Sequence, residues 1–289
     1  MFAARKTNVA YSAPEEHDCG CCELARCPLK PHITAARDET GVSPQRLISL
    51  ARGTRLVGGL NPCRRLWVVV SGLVGLSTTL ADGRRQITSL NTSGDILCPV
   101  GGAEGVESWV DILAPSQLCE IDLAAMISTG LAPALSASLF RATHVQLERS
   151  NANLIMLGRF DGLERVALFL AEMTYRLGDP CPGGYRVTLP LSREDIADYL
   201  GLNAETVSRL FTRIRKSRLV TFLSPTDFVV HDLDGLAGRA PTAAGLRPAA
   251  EAARHNGGGD DHPASDPSAG PSARGRFFNG APFERQSQS

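Results

Sequence analysis

The sequence predicts an α+β protein with a β-rich N-terminal half, a long helix and a C-terminal helix-turn-helix carrying a β-hairpin wing. Three observations predict it. Between Arg46 and Leu123, short β-branched runs alternate with Gly, Pro and Asp punctuation. From Pro133 to Leu157 the texture turns helical. From Ser192 to His231, a capped helix, a glycine turn, a second helix and two short β-rich runs follow closely on one another. The 289 residues leave room for two domains, and 43% hydrophobic with 21% charged residues exclude a wholly disordered or fibrous chain. The longest strongly apolar run, Leu66 to Val70, falls far short of the ~20 residues that span a bilayer. Met1 to Asp18 has no apolar secretory core, so a cytoplasmic protein without membrane contact is expected.

The first 40 residues hold half of the eight cysteines: Cys19, Cys21, Cys22 and Cys27 fall within nine positions. In a reducing compartment such clustering points to metal or thiol chemistry and away from a disulfide framework. Residues 41–126 form the β-domain, a barrel or sandwich, whose runs are Arg65 to Val70, Gly72 to Leu80, Gln86 to Leu90, Val110 to Leu113 and Leu118 to Leu123. Asp82-Gly83 between two of them is a hairpin signal. In the helical segment 127–158, Thr143, Leu147, Ser150, Leu154 and Leu157 recur at 4-3-4-3 spacing. That stripe suits a two-helix seam, and equally a helix packed on its own domain. Residues 159–236 open on a helix capped by Asp161, with Leu163, Val166, Ala167 and Leu170 on one face up to Gly178. The 53 residues from Ala237 on contain 12 Ala, 8 Gly, 6 Pro, one Leu and no Ile, Val or Met. Such a composition buries too little apolar surface to offset ordering, so 237–289 is expected to be a disordered tail.

Ser192-Arg193-Glu194-Asp195 has the form of a capping box, Ile196, Ala197 and Leu200 follow, and Gly201 takes the left-handed C-cap. Asn203 caps the next helix, so the pair is a helix-turn-helix. On that second helix Val207, Leu210, Phe211 and Ile214 share one face, and Glu205, Ser208, Arg209, Thr212 and Lys216 the opposite one. An acceptor, a hydroxyl and a guanidinium at i, i+3 and i+4 are the chemistry that reads base edges in a major groove. Between Ala204 and Arg218, five basic residues (Arg209, Arg213, Arg215, Lys216, Arg218) face one acid, Glu205. That local excess supplies phosphate affinity, although the 30 basic and 30 acidic residues of the chain cancel. Leu219 to Leu223 and Phe228 to His231 complete the wing.

This arrangement resembles the CRP/FNR superfamily of bacterial transcription regulators over roughly Cys19 to Leu236. Glu205-Thr206-Val207-Ser208-Arg209 matches the E-x-x-S-R recognition signature of the branch named for fumarate and nitrate reduction. The resemblance implies a cyclic-nucleotide-binding-like β-roll as sensor, a dimerisation helix (Leu147, Ser150, Leu154, Leu157) and a winged helix-turn-helix. It further implies a homodimer bound to double-stranded DNA at a TTGAT-type inverted repeat, with RNA polymerase as downstream partner. Glu205 would accept from cytosine, Ser208 contact a thymine and Arg209 pair with guanine, with Thr212, Arg213 and Lys216 beside them. Members that take cyclic AMP need an arginine against its phosphate. From Gly94 to Trp109 this chain has no Lys or Arg and three acids, Asp95, Glu104 and Glu107, which disfavours an anionic nucleotide.

Members of the fumarate and nitrate branch hold an iron-sulfur cluster on three N-terminal cysteines and one from the β-roll. Carried over, Cys19, Cys22, Cys27 and Cys119 would hold a 4Fe-4S cluster and make the chain an oxygen-responsive regulator. The spacing C-x2-C-x4-C departs by one residue from the branch's C-x2-C-x5-C, which keeps Cys21 as a substitute. Taken without the resemblance, zinc on the N-terminal thiols with His17 remains open, as does cysteine oxidation on the same fold. Cys119, on a strand face with Ile121 and Leu123, also suits a buried apolar role. Cys63, Cys98 and Cys181 stand singly and are read as structural. An iron-sulfur redox protein whose C-terminal helices merely pack is the alternative of another class. No nucleophile-base pair, nucleotide-binding glycine motif or substrate site supports an enzyme.

Overall fold

A computed structural model of the chain describes residues 15–20, 22, 24, 27–57, 65–97, 107–127 and 132–241. In chain order its elements are β1 (Glu15–Glu16), α1 (Lys30–Thr40), β2 (Gln45–Leu50), β3 (Arg55–Val57), β4 (Arg65–Ser71), β5 (Val74–Thr79), β6 (Arg85–Asn91), β7 (Ile96–Leu97), β8 (Glu107–Ile112) and β9 (Ser116–Asp122). There follow α2 (Leu123–Ile127), α3 (Ala132–Arg159), α4 (Gly162–Leu177), β10 (Asp179–Cys181), β11 (Gly184–Thr188), α5 (Arg193–Leu200), α6 (Ala204–Lys216), β12 (Val220–Phe222), β13 (Asp227–Val230) and α7 (Leu233–Ala237). Alpha and beta elements both contribute, as the sequence predicts.

Period-two alternation in the strands decides the architecture of the N-terminal half. One antiparallel sheet runs β1-β2-β9-β4-β7 and a second β3-β8-β5-β6. On β4, Trp67 and Val69 turn toward the second sheet, where they share a core with Ile48, Leu118, Val110 and Ile112. Leu66, Val68 and Val70 turn the other way and join Cys119, Ile121, Cys19, Ile33 of α1 and Leu135 of α3. The outer side of the second sheet offers Leu73, Ile87 and Leu90 to Val166, Phe169 and Leu170 of α4 and to Ile196 and Leu200 of α5. Two sheets are thus sandwiched between the cysteine-bearing segment on one side and the C-terminal helices on the other.

The turn at Asp82-Gly83 joins β5 to β6, with Thr79 opposite Arg85 and Gly83 at φ +87°. The long helix α3 covers 28 residues. Asp161 caps α4 with a complete capping box: its side chain accepts from the Leu163 and Glu164 amides, and the Glu164 carboxylate accepts from the Asp161 amide. α1 has no counterpart among the sequence expectations; it starts with Pro31 in its first turn and ends on Gly41 at φ +70°.

The wing is larger than the hairpin expected from the sequence. β10 and β11 extend it to a four-stranded sheet of order β10-β11-β13-β12. Gly184 permits this with φ +145° and a close approach to the Val230 carbonyl that a Cβ would block. The packed part of the chain also runs past Leu236, correcting the boundary set for the tail. Ala237 and Ala240 are buried in the core of the C-terminal helices, because alanines pack on a small apolar surface that a search for Leu, Ile and Val overlooks. The remainder of the expected tail, 242–289, lies outside the described residues.

Candidate functional site

Two sites lie on opposite sides of the sandwich. The first is a small pocket, partly open to solvent, lined by Cys19, Cys22, Cys27 and Cys119 together with Lys30, Val68 and Val70. His17, the imidazole considered for zinc, also lines it. The structure therefore brings together all four thiols named from the sequence, three from the N-terminal segment and one from a strand about 90 residues further on. Cys119 faces the cavity because β9 pairs it with Leu47 on one side and Val68 on the other. Its neighbour Glu120 points away, accepting from the Trp67 indole N–H at 3.1 Å and Arg46 Nε at 2.9 Å. The turn at Leu29 that starts α1 holds Cys27 in place: its carbonyl accepts from the Lys30 amide at 3.2 Å.

Burial pushes the Cys19 thiol up to about 11, with further upward pressure from Cys27 and Cys22. Cys119 is raised as well, first by burial and then by Cys27, Cys19 and Cys22. Burial also raises Cys27, against the pull of the Leu29 and Lys30 amides. Cys19, Cys27 and Cys119 are thus all disfavoured as thiolates, and a group bringing positive charge would stabilise them together. Among the described residues no three His, Cys, Asp or Glu side chains are grouped so as to hold a single metal ion. Cys21, Cys63 and Cys98 lie outside the described residues, and Cys181 is half-buried on β10.

The second site is the exposed side of α6. Ser192 Oγ accepts from the Asp195 amide at 3.0 Å, Asp195 Oδ2 accepts from the Ser192 amide at 3.1 Å, and Gly201 ends α5 at φ +63°. Asn203 Oδ1 then accepts from the Thr206 amide at 2.7 Å to start α6. Val207, Leu210, Phe211 and Ile214 are buried, while Glu205, Ser208, Arg209, Thr212, Arg213 and Lys216 are all exposed. Arg209 Nη2 pairs with Glu205 Oε1 at 2.5 Å, one turn apart. Ser208 and Thr212 donate their hydroxyls back to the Ala204 and Ser208 carbonyls at 2.9 and 3.0 Å. This face can thus offer a guanidinium, a carboxylate and two hydroxyls by side-chain rotation alone. Sequence reading missed Arg193, whose guanidinium lies 4.2 Å above the Phe211 ring and braces α5 on α6. A basic residue directly after the N-cap of a capping box gives no periodic signal for such a contact.

Asp95, one of the acids that weighed against an anionic nucleotide, is paired with Arg149 and Arg176, while Glu104 lies outside the described residues. Of the helix stripe, Leu147 and Leu154 are 56% and 67% exposed and Ser150 is exposed. Leu157 is half-buried against the core of the C-terminal helices. Phe140 and Ile155, which the stripe omitted, are exposed on the same helix. Among the described residues no helix is long and apolar enough to cross a membrane.

Residues 164–239 match the family described as the Crp-like helix-turn-helix domain. The chain is 31% identical over 191 residues to the nitrogen fixation regulation protein FixK of Azorhizobium caulinodans, covering 64% of this chain and 75% of that protein. It is 27% identical over 185 residues to the fumarate and nitrate reduction regulatory protein of Vibrio cholerae, covering 61% of this chain and 72% of the relative. Among solved structures, FixK2 from Bradyrhizobium japonicum is similar with a TM-score of 0.60 and 27% identity, covering 68% of this chain and 97% of that one. With sandwich, long helix and recognition helix in this order, and a relative of this identity covered over three quarters of its length, the chain belongs to the CRP/FNR family of DNA-binding transcription regulators, in its FNR-like branch, and is not an enzyme.

Proposed function

We propose that the protein is a dimeric, cytoplasmic, oxygen-responsive transcription regulator that binds a TTGAT-type inverted repeat and acts on RNA polymerase. One observation carries the sensor assignment: four thiols from two distant parts of the chain line one cavity. Cys19, Cys22, Cys27 and Cys119 would hold a 4Fe-4S cluster, which when bound supplies an oxygen-labile tie between the N-terminal segment and the sandwich. Thiols spread around a cavity suit a polynuclear group better than one tetrahedral ion, whose sulfurs must converge to ~2.3 Å from a single centre.

The chain's own residues carry the consequence outward. Cys19 and Cys119 share a core with Leu135 of α3, and Leu139 and Ala142 pack against it. His32 of α1 and Ser138 of α3 are hydrogen-bonded at 2.9 Å, Nε2 to Oγ. Ordering the N-terminal segment therefore bears on the first turns of α3, whose exposed Phe140, Leu147 and Leu154 would form the seam with a second copy. At the other side, Glu205, Ser208 and Arg209 would read cytosine, thymine and guanine in the major groove, and Arg213 and Lys216 would lie along phosphates. The name of the Vibrio cholerae relative, which refers to fumarate and nitrate reduction, fits regulation in anaerobic metabolism.

Zinc is the second reading, favoured by His17 on the cavity wall. Metal and sulfide analysis of anaerobically purified protein separates the two. The cluster reading expects iron with matching acid-labile sulfide, most of it lost in Cys119→Ser and in Cys27→Ser and kept in Cys181→Ser. Zinc without sulfide, or full iron in Cys119→Ser, would overturn it.

A further inference from the structure

One carboxylate joins the wall of the thiol cavity to the helix-turn-helix. Val68 and Val70 of β4 line the cavity. Between them the Val69 amide donates to the Asp95 carbonyl at 2.9 Å, and the Gly94 amide donates to the Val69 carbonyl at 2.9 Å. Ile96, next along the chain, lies in the same core as Cys19 and Cys119, and its carbonyl accepts from the Gln146 side chain of α3. The Asp95 carboxylate accepts from Arg149 of α3 and Arg176 of α4, each at 2.7 Å, and from the Thr92 amide at 2.9 Å. Arg176, with 6% of its side chain exposed, also pairs with Glu172 at 3.2 Å. Glu172 in turn accepts from the Tyr199 hydroxyl of α5 at 3.4 Å. A single side chain thus contacts the sandwich loop, the long helix and the DNA-binding domain, one backbone hydrogen bond from the cavity wall.

We propose that Asp95 is a positioning residue that couples the thiol cavity to the placement of the helix-turn-helix, a role that rests on reading the cavity as the sensing site. The physics is that of a shared counterion with only 14% of its side chain exposed. Arg149 and Arg176 cannot both lose Asp95 without leaving desolvated positive charges close together. A displacement of the 92–95 loop must therefore carry α3 and α4 with it. Coupling of this kind is a difference in free energy between two arrangements, so it is measured by combining perturbations at the two ends.

The test is a cycle of operator titrations on an inverted-repeat DNA with the full-length protein, anaerobically: wild type, Cys119→Ser, Asp95→Asn and the double variant. Cys119→Ser is expected to weaken operator binding about tenfold in the wild-type background, within the usual range of coupling between sites. In the Asp95→Asn background the same change should have about a twofold effect or less, whereas Asp95→Glu should restore the larger effect. If Asp95→Asn does not fold, Arg149→Gln removes one of the two anchored helices and must reduce the coupling in its place. An unchanged Cys119→Ser effect in Asp95→Asn, or none in wild type, would overturn the proposal. Iron counts on the same samples keep the two claims apart. Protein without iron whose Cys119→Ser effect vanishes in Asp95→Asn would support the joint and sink the cluster. Iron-loaded Asp95→Asn that still responds fully to Cys119→Ser would sink the joint alone.

Discussion

Replacing Arg85 tests whether the sandwich and the DNA-binding domain are fastened to each other as the structure shows. From β6 its guanidinium reaches Asp111 of the sandwich at 2.9 Å, Asp198 of α5 at 2.6 Å, and Asp195 of α5. Breaking a buried ion pair by removing one partner costs about 3–5 kcal/mol, against ~0–1 kcal/mol for an exposed one. Arg85 is 22% exposed, and Asp195 keeps Arg52 at 2.9 Å and the Ser192 hydroxyl at 2.8 Å. Arg85→Met is therefore expected to cost about 2–3 kcal/mol at pH 7, between those limits. The sign of its pH dependence follows from Asp195. Burial alone raises that carboxyl, but hydrogen bonds from Arg85 and Ser192 and the Arg85 charge outweigh it and hold it below the usual carboxylate range. In wild type the Asp195 contribution is present above the unfolded pKa and is lost as pH falls through the lower folded value. Without Arg85 the burial penalty is less opposed, so the variant's deficit should be largest near neutrality and shrink toward about pH 4. Urea unfolding curves at both pH values measure it, with unchanged slopes confirming that the same surface is exposed. A deficit below about 1 kcal/mol at pH 7, or one that grows on acidification, would refute the argument.

Arg209→Ala should weaken binding to the cognate inverted repeat by about 1–3 kcal/mol per contacted guanine and relax specificity there, while Lys216→Ala should weaken all sequences alike and flatten the salt dependence. Parallel titrations on cognate and scrambled DNA across a salt series check both. Gly184→Ala, where a Cβ would meet the Val230 carbonyl at φ +145°, should lower stability by several kcal/mol, as overpacking beside a strained φ does; a thermal melt within about 2 °C of wild type would contradict it. A chain ending after Pro241 should fold and bind DNA, whereas one ending at Leu236 loses the packing of Ala237 and Ala240 and should melt lower.

The helix-turn-helix was legible because its signals are local. A capping box at Ser192, a left-handed glycine at 201 and an apolar stripe at Val207, Leu210, Phe211 and Ile214 are each written within a few residues, and each is found in place. Strand positions were legible for the same reason, since short apolar runs such as β4 and β9, buried on both faces, are bounded by turn residues. The identity of the thiol set drew on the resemblance as well as on spacing; Cys119 taken alone read more readily as a buried apolar strand residue, and only the pairing of β9 with β4 puts it opposite Val68. The docking of α5 on β6 was not legible at all. Arg85 is more than 100 residues away from both Asp195 and Asp198, and surface-type charges give no hint of a distant partner. The short helix α1 had no counterpart among the sequence expectations, although Pro31 in its first turn is a usual helix start that leaves no amide unsatisfied.

The most direct test of the account is one sample of anaerobic wild-type protein titrated with the cognate inverted repeat before and after exposure to air, with its visible absorbance recorded throughout. The account predicts that operator affinity and cluster absorbance fall together, and that Arg209→Ala binds weakly in both states while keeping the absorbance change. Equal operator affinity before and after air, with the absorbance bleached, would contradict oxygen sensing and leave a DNA-binding regulator whose thiol cavity serves another signal.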